Sequence, residues 1–419
     1  MAERLLGPGQ VLRDSNDLPR LAEKSRRRAF IGLRFCGMSL RVLIVPDKFK
    51  GTLTASQAAE ATARGWRKAR PQDRLELLPM SDGGDGFGEV LSGLIGAKSQ
   101  WVRTVDAAHR VCRSQWWWEA GTGTAIVESA CVIGLALLPP GKFHPFELDT
   151  SGLGRVLLAA ARKRCRRLIV GIGGSATNDG GFGLAQALGW RFADRHGHAL
   201  ERWTDLRTLN HLRRPVPLPF HGIRLIVAVD VQNRLLGRQG CSRVYGPQKG
   251  LHPRDLPLAE ACLRRLALVA KRELGADFAR IPGAGAAGGL GFGLVAFAGA
   301  GVESGVALFG RRARLSERLR KTDLVITGEG ALDRSTLMGK GVGEIARQCG
   351  ARGLPCVGLS GVASDQTELL TRFTQVRCLT ELTTRAQARR HAALWLARLA
   401  QEVAGAWPRG AARPRSGRG

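Results

Sequence analysis

The chain has 419 residues, enough for about two or three domains with substantial cores, and its 44% hydrophobic and 24% charged residues exclude an intrinsically disordered protein. A formal net charge of +29 points first to nucleic acid, but the basic residues are mostly Arg spread along the whole chain, with no lysine-rich run, helix-turn-helix or zinc-finger pattern. A solvated basic surface is the preferred reading, and no nucleic-acid partner is expected.

From the N-terminus, residues 1–40 read as an extension outside the fold. Arg26, Arg27 and Arg28 are mixed with Glu3, Asp14, Asp17 and Glu23, which makes a poor transit peptide, and Met38 directly precedes the first strong strand. That strand is the apolar run Arg41–Val45, bounded by Pro46 and Asp47, as expected of a strand buried on both faces. Thr54 to Lys68 has helical spacing with a Ser/Thr start, and Leu75 to Leu78 is the next short strand, so the chain opens β-α-β with a parallel sheet. Gln100–Val105, Cys112–Trp118 and Thr124–Ala130 then follow with short connections and no helix between them, an antiparallel meander. Trp116, Trp117 and Trp118 fall within it. Successive strand residues face opposite ways, so the three cannot form one stacking platform and are expected to pack in cores and on sheet surfaces.

Helix and strand alternate again through Ser151–Arg162, Leu168–Gly171, Leu184–Leu188 and Leu225–Val229, and later through the strands Leu324–Thr327 and Cys356–Leu359. Pro282 to Val302 has no charged residue and is long enough to span a bilayer. Its Gly and Ala content predicts a core helix after a glycine-rich turn instead, and no membrane contact is expected. The expected fold is a Rossmann-like parallel sheet domain, residues 41–96 and 295–407, with a second, inserted α/β domain over 97–294 that contains the antiparallel meander. Residues 408–419, rich in Arg, Pro, Gly and Ser, read as a disordered basic tail. Nine widely spaced cysteines without a C-x-x-C pair fit reduced thiols in a cytoplasmic protein better than a disulfide framework or zinc site.

The chemistry is expected where strands end, because open parallel sheets bind ligands outside the carboxyl ends of their strands. Five such loops combine glycine with Asp, Asn, Lys or Ser. The first, Asp47 to Thr52, puts Lys50 beside Gly51 at the start of a helix, a setting for an anion, although a surface lysine pair has the same spacing. The second, Ser81 to Gly86, carries Asp82 and Asp85 on a glycine-rich turn suited to Mg²⁺, to a base, or simply to turn formation and helix capping. The third, Gly171 to Gly181, interleaves Ser175, Thr177, Asn178 and Asp179 with glycines whose backbone amides can cradle oxyanions. It lacks the Gly-Lys-Ser/Thr of a Walker loop. The fourth pairs Asp230–Asn233 with Tyr245–Gly250, and the fifth pairs Thr327–Asp333 with Gly339–Gly341. Acid for metal, lysine for phosphate and glycine for close approach are the parts that phosphoryl transfer needs. There is no Gly-x-Ser-x-Gly elbow and no metal-binding His spacing, which counts against a hydrolase.

The runs PDKFKGTLTA, PMSDGGDG, GIGGSATNDGGFG, DVQN, YGPQKG, PGAGAAGGLGFG and DLVITGEGALD, in that order over about residues 41–365, closely resemble the type-1 bacterial glycerate kinases. The resemblance implies a two-domain α/β fold, ATP with a divalent metal such as Mg²⁺, and D-glycerate converted to a phosphoglycerate, commonly 2-phosphoglycerate. Two departures bear on substrate contacts: Arg234 stands where a smaller residue, often Pro, is expected, and Ser335 where Gln is common.

By position, Asp179 or Asp230 is the carboxylate expected to orient and deprotonate the glycerate hydroxyl. Gly173, Gly174, Ser175 and Asn178 would bind substrate carboxylate or phosphate, with Asn233 beside them. Lys50 and Lys249 would neutralise the transferred phosphoryl group. Gly328, Glu329, Asp333 and Lys340 would face the nucleotide or its metal, and Asp82 and Asp85 are further candidates for the metal. A homodimer is compatible with this reading. The alternatives are a kinase of another small hydroxy acid, or a basic nucleic-acid-binding protein on a degenerate kinase fold. The latter has no need of acids in every loop and would bind with a steep salt dependence.

Overall fold

The apolar run at the start of the fold forms β1 (Arg41–Ile44), and a computed structural model describes the chain over residues 39–337 and 341–408. Helix α1 (Ala55–Ala69) starts in a capping box. Thr54 Oγ1 accepts the Gln57 amide at 3.1 Å, while Gln57 Oε1 accepts the Thr54 amide at 3.0 Å, so two otherwise orphaned donors are satisfied. The β-α-β unit closes with β2 (Arg74–Leu77), and α2 (Phe87–Ile95) follows the Asp82–Asp85 turn. The expected meander is β3 (Lys98–Val105), β4 (Val111–Glu119) and β5 (Thr124–Glu128). Alternation resumes with α3 (Ser151–Ala161), β6 (Arg167–Gly171) and α4 (Phe182–Ala187).

A short antiparallel pair, β7 (Arg191–Ala193) and β8 (His211–Arg213), precedes β9 (Arg224–Ala228). The chain then forms α5 (Cys241–Lys249), α6 (Leu256–Leu274), α7 (Ala286–Ala298), β10 (Gly301–Glu303) and α8 (Gly305–Arg312). The last elements used below are β11 (Leu324–Leu332), α9 (Gly341–Gly350), β12 (Cys356–Ala363), β13 (Gln375–Cys378) and α10 (Ala392–Ala406).

These strands make an α/β fold with two principal sheets. The first is wholly parallel, in the order β13-β12-β11-β1-β2, so strands from the N-terminal and C-terminal parts of the described chain join in one sheet where β1 lies beside β11. The second has the order β10-β9-β6-β5-β4-β3. It is parallel from β10 to β5 and antiparallel from β5 to β3, which is the meander. This sheet draws on residues 98–303, because β10, beyond residue 294, pairs with β9. Residues Leu40–Ala406 cluster as one compact unit. The extension over 1–38, the tail over 409–419 and Lys340 lie outside the described residues.

Alternation along the second sheet divides its side chains between two layers. Leu168, Val170, Leu225 and Val227 enter the larger core with α3, α4, α6 and α7. Ile126 and Ile169 face the other way and meet Phe87 and Leu91 of α2 and Leu308 of α8. Trp116 belongs to the first layer and Trp117 to the second, both nearly fully buried, as the strand period requires. Burying an aromatic side chain of this size stabilises the fold by roughly 2–3 kcal/mol. Pro282–Val302 contains the predicted core helix: Leu290, Phe292, Leu294 and Phe297 of α7 are buried. Among the described residues no helix is long and apolar enough to cross a membrane. All eight described cysteines are free.

Candidate active site

The carboxyl ends of β1, β2, β6, β9 and β11 carry the loops singled out in the sequence, and the sheet topology brings them to one region. Asp47 follows β1 and Pro46; its amide donates to the Gly328 carbonyl of β11 at 2.8 Å, which ties the first and fifth loops together. The Asp47 carboxyl is buried, and its pKa is pushed up to about 8. Burial is the main cause, followed by the charges of Asp82 and, more weakly, Glu329, against an opposing pull from Lys48. Lys48 Nζ donates to the Asp85 carbonyl at 3.0 Å and so clamps the second loop.

An open cleft of about 790 Å³ is lined by Asp47, Lys50, Asp82, Glu329, Asp333 and Arg389, among others. A second, of about 300 Å³, shares Asp47, Lys48 and Lys50 and adds Asp85 and Glu89. Glu329 Oε1 accepts the Thr336 hydroxyl at 3.0 Å. Of the sequence-predicted nucleotide residues, Glu329 and Asp333 therefore reach the cleft. Gly328 is a strand residue whose missing Cβ lets Leu359 of β12 lie against it.

Asp82 and Asp85 stand in different surroundings. Asp82 stands in the field of Asp47 and Asp230. Asp85 turns toward the glycine-rich third loop, where a Cβ on Gly174 (φ +62°) would collide with its Oδ1. That oxygen is buried without a hydrogen-bond partner. Neighbouring Glu128 accepts the Gly86 and Gly88 amides at 2.8 and 2.9 Å and so fixes the start of α2. Burial raises its pKa, against those two amide bonds. The second and third loops interlock so closely that a Cβ on Gly173 would lie 2.6 Å from Gly84 Cα. The third loop is backed by the glycines that open α7, where Ala287, Gly288 and Gly289 all take positive φ and the Ala287 carbonyl accepts from Ser175 Oγ at 3.3 Å.

Several predicted residues lie behind this surface. Asp179 is fully buried and accepts four hydrogen bonds: from the Thr150 amide (3.0 Å), the Thr150 hydroxyl (2.7 Å), and the Gly181 (3.2 Å) and Gly183 (3.0 Å) amides. It holds the start of α4, and the structure does not bring it to the cleft. Burial, with Asp149 nearby, raises its pKa to about 6. Ser175 bonds Thr177, and Asn178 Nδ2 donates to Ser242 at 2.9 Å, while Asn178 Oδ1 is buried without a partner. Lys249 Nζ donates to the Thr177 carbonyl at 2.6 Å, and burial lowers its pKa to about 8. These three groups support the loop from beneath. Asn233 accepts the Tyr245 hydroxyl at 2.7 Å and donates to the Gln239 carbonyl at 2.8 Å.

Asp230 differs from Asp179. It is only partly buried at the end of β9, accepting the Ser304 hydroxyl at 2.5 Å and the Val306 amide at 3.0 Å, which caps α8. Burial, with a contribution from Asp82, raises its pKa to about 6. Among the described residues no three His, Cys, Asp or Glu side chains are grouped so as to hold a metal ion by themselves. Sequence reasoning missed Asp47, Lys48 and Glu128 as individual residues. The first two stood in a loop already marked, but nothing in the spacing distinguished Lys48 from Lys50. Glu128 gave no local signal because its partners are about forty residues away.

Carboxylates, lysines and glycine amides gathered at strand ends around an open cleft are the equipment of an α/β phosphotransferase acting on small molecules. The chain belongs to the glycerate kinase family, whose model matches residues 42–408. It is 36% identical to the glycerate kinase of Halalkalibacterium halodurans over 76% of this chain and 85% of that protein. It is also 36% identical to the glycerate 2-kinase of Escherichia coli K12, over 78% and 86%. The crystal structure of a glycerate kinase 2 candidate from Salmonella typhimurium LT2 superposes with a TM-score of 0.73 at 31% identity, covering 88% of this chain and 98% of that one.

Proposed function

We propose that this kinase transfers the γ-phosphoryl group of ATP to the 2-hydroxyl of D-glycerate, giving 2-phosphoglycerate and ADP. The observation that carries the reading is the convergence of Asp47, Lys48, Asp82 and Glu329 on one cleft at the carboxyl ends of β1, β2 and β11. The 36% identity to a glycerate 2-kinase supports the position of transfer. In this reading Lys48 and Lys50 meet the nucleotide phosphates, with Glu329 and Asp333 on the nucleotide side. Glycerate lies against the Gly173–Gly174 turn, where the unpartnered Asp85 oxygen can accept a substrate hydroxyl.

Mg²⁺ commonly binds through one or two carboxylates together with substrate phosphates and keeps several waters. Asp47 and Asp82 fit that donor chemistry: burial and the charge of Asp82 keep the Asp47 carboxyl protonated, and a divalent ion would supply the charge that stabilises both as carboxylates and neutralises the phosphates. Asp230 is the proposed base, in preference to the enclosed Asp179. The substrate oxygen forms a bond to the γ-phosphorus as the bond to the β–γ bridging oxygen breaks, and the hydroxyl proton passes to Asp230. We further propose that the two sheets correspond to two domains, the second inserted near residue 97. The test is ADP release with D-glycerate, with the product's phosphorylated carbon identified by NMR. Turnover on another hydroxy acid at a higher kcat/KM would overturn the substrate, and a signal from the 3-phosphate would overturn the position.

A further inference from the structure

At the opposite end of the second sheet, where its parallel strands begin, one row of side chains is cationic. Arg167 opens β6 and Arg224 opens β9, and the two are register partners on adjacent strands. Strand spacing puts their backbones about 5 Å apart with both side chains on the same face. That face, through Ile126 and Ile169, is the one covered by α8, and α8 ends in Arg311 and Arg312 directly over the row. Arg312 stands in the field of Arg167, Arg311 and Arg224 together, and these neighbours, with burial as the larger cause, lower its pKa.

Among the described residues, one carboxylate answers the four guanidinium groups. Glu303 pairs with Arg224 at 3.3 Å and with Arg311, which leaves three of four positive charges uncompensated within the cluster. Among the described residues neither Arg167 nor Arg312 forms an ion pair; Arg167 Nη1 has the Thr124 hydroxyl at 3.5 Å. Glu119, the next acid along the row beside Thr124, commits its carboxylate to the Gly121 and Thr122 amides. Like charges on directly paired strand positions are destabilising. Guanidinium groups cannot relieve this by losing protons, because they stay charged at any ordinary pH.

We propose that Arg167, Arg224, Arg311 and Arg312 form an anion site, separate from the catalytic cleft, that takes a phosphate-bearing small molecule. Guanidinium forks match phosphate oxygens in bidentate geometry, and several of them around one anion favour two phosphate groups over a single carboxylate. The site is reachable, since the side chains of Arg224 and Arg311 are 69% and 59% exposed. The cluster is confined to two adjacent strand ends and one helix end, which suits a small polyanion and not the long backbone track of a nucleic acid.

The experiment is calorimetric titration of the full chain with inorganic pyrophosphate, comparing the wild type with an Arg167→Ala/Arg312→Ala double variant checked for fold by circular dichroism. Pyrophosphate can also enter the catalytic cleft, so the double variant is expected to keep that component and to lose the second, with affinity there down by about tenfold or more. Should the double variant not fold, Arg224→Gln is expected to weaken the same component alone. Identical isotherms for wild type and variant, or a single component in the wild type, would overturn the site. Binding of a short DNA duplex in place of pyrophosphate, falling steeply with salt, would assign the cluster to nucleic acid and overturn the small-molecule reading.

Discussion

Asp47 shows at the residue scale how a cleft carboxyl sets stability against function. Its folded-state pKa of about 8 lies above its ordinary value of 3.8, so the folded chain holds a proton that the unfolded chain releases. The associated stability is fully present below about pH 4 and is lost as pH rises through about 8. Asp230 and Asp179, each at about 6, have the same sign over a lower window. Asp47→Asn is therefore expected to flatten the decline in melting temperature between pH 5 and 9, while losing most phosphoryl transfer. Calorimetry across that range checks it; parallel curves for wild type and variant would show that burial of Asp47 costs nothing.

The two aspartates once equivalent in sequence should separate cleanly. Asp230→Asn is expected to lower turnover by roughly a hundredfold with little change in apparent glycerate affinity, the effect of a lost base. Asp179→Asn loses a carboxylate that accepts four hydrogen bonds, and is expected to destabilise the fold by about 2–4 kcal/mol. Initial rates and denaturant melts on both variants decide. Near-normal turnover for Asp230→Asn would pass the role to Asp85 or Asp82.

At the scale of elements, the active surface is built by loops packed backbone to backbone. Gly174 has φ +62° and sits against Asp85, so Gly174→Val combines backbone strain with displacement of that carboxyl. The expected outcome is a folded protein whose activity falls below about one hundredth of wild type. Unchanged turnover would remove the third loop from the site. A different glycine tests packing away from the chemistry. A Cβ on Gly65 of α1 would strike the Ala397 carbonyl of α10, in the contact where the two long helices cross on the first sheet. Gly65→Ala should cost about 1–3 kcal/mol of stability and leave kcat unchanged, which thermal melts and rate assays together can read.

For the whole molecule, the described core of the first sheet lies within Leu40–Ala406, and β1, an interior strand of that sheet, starts at Arg41. A chain beginning at Met38 is expected to melt within a few degrees of the full chain and to turn over glycerate equally well, because about one kcal/mol already moves a melting temperature by several degrees. A large fall in either would make residues 1–37 part of the working protein.

The sequence by itself determined the α/β class, the opening β-α-β unit and the meander, because buried parallel strands leave continuous apolar runs and breaks at Pro, Gly and Asp that are local in the chain. It also marked the loops that carry the chemistry, since phosphoryl transfer draws on a narrow set of residue types. Only the tertiary structure decided which member of each loop faces the cleft. Asp179 and Asp230 both follow strand ends, yet one closes on Thr150 and the start of α4 while the other stands at the mouth of β9. Lys249 and Asn178, polar enough to read as ligands, spend donors inside the fold, on the Thr177 carbonyl and the Ser242 hydroxyl. Asp47 and Glu128 acquire their roles from partners 35 and more residues away. Side-chain direction, burial and charge environment depend on what packs opposite, and no local pattern of residue types encodes that.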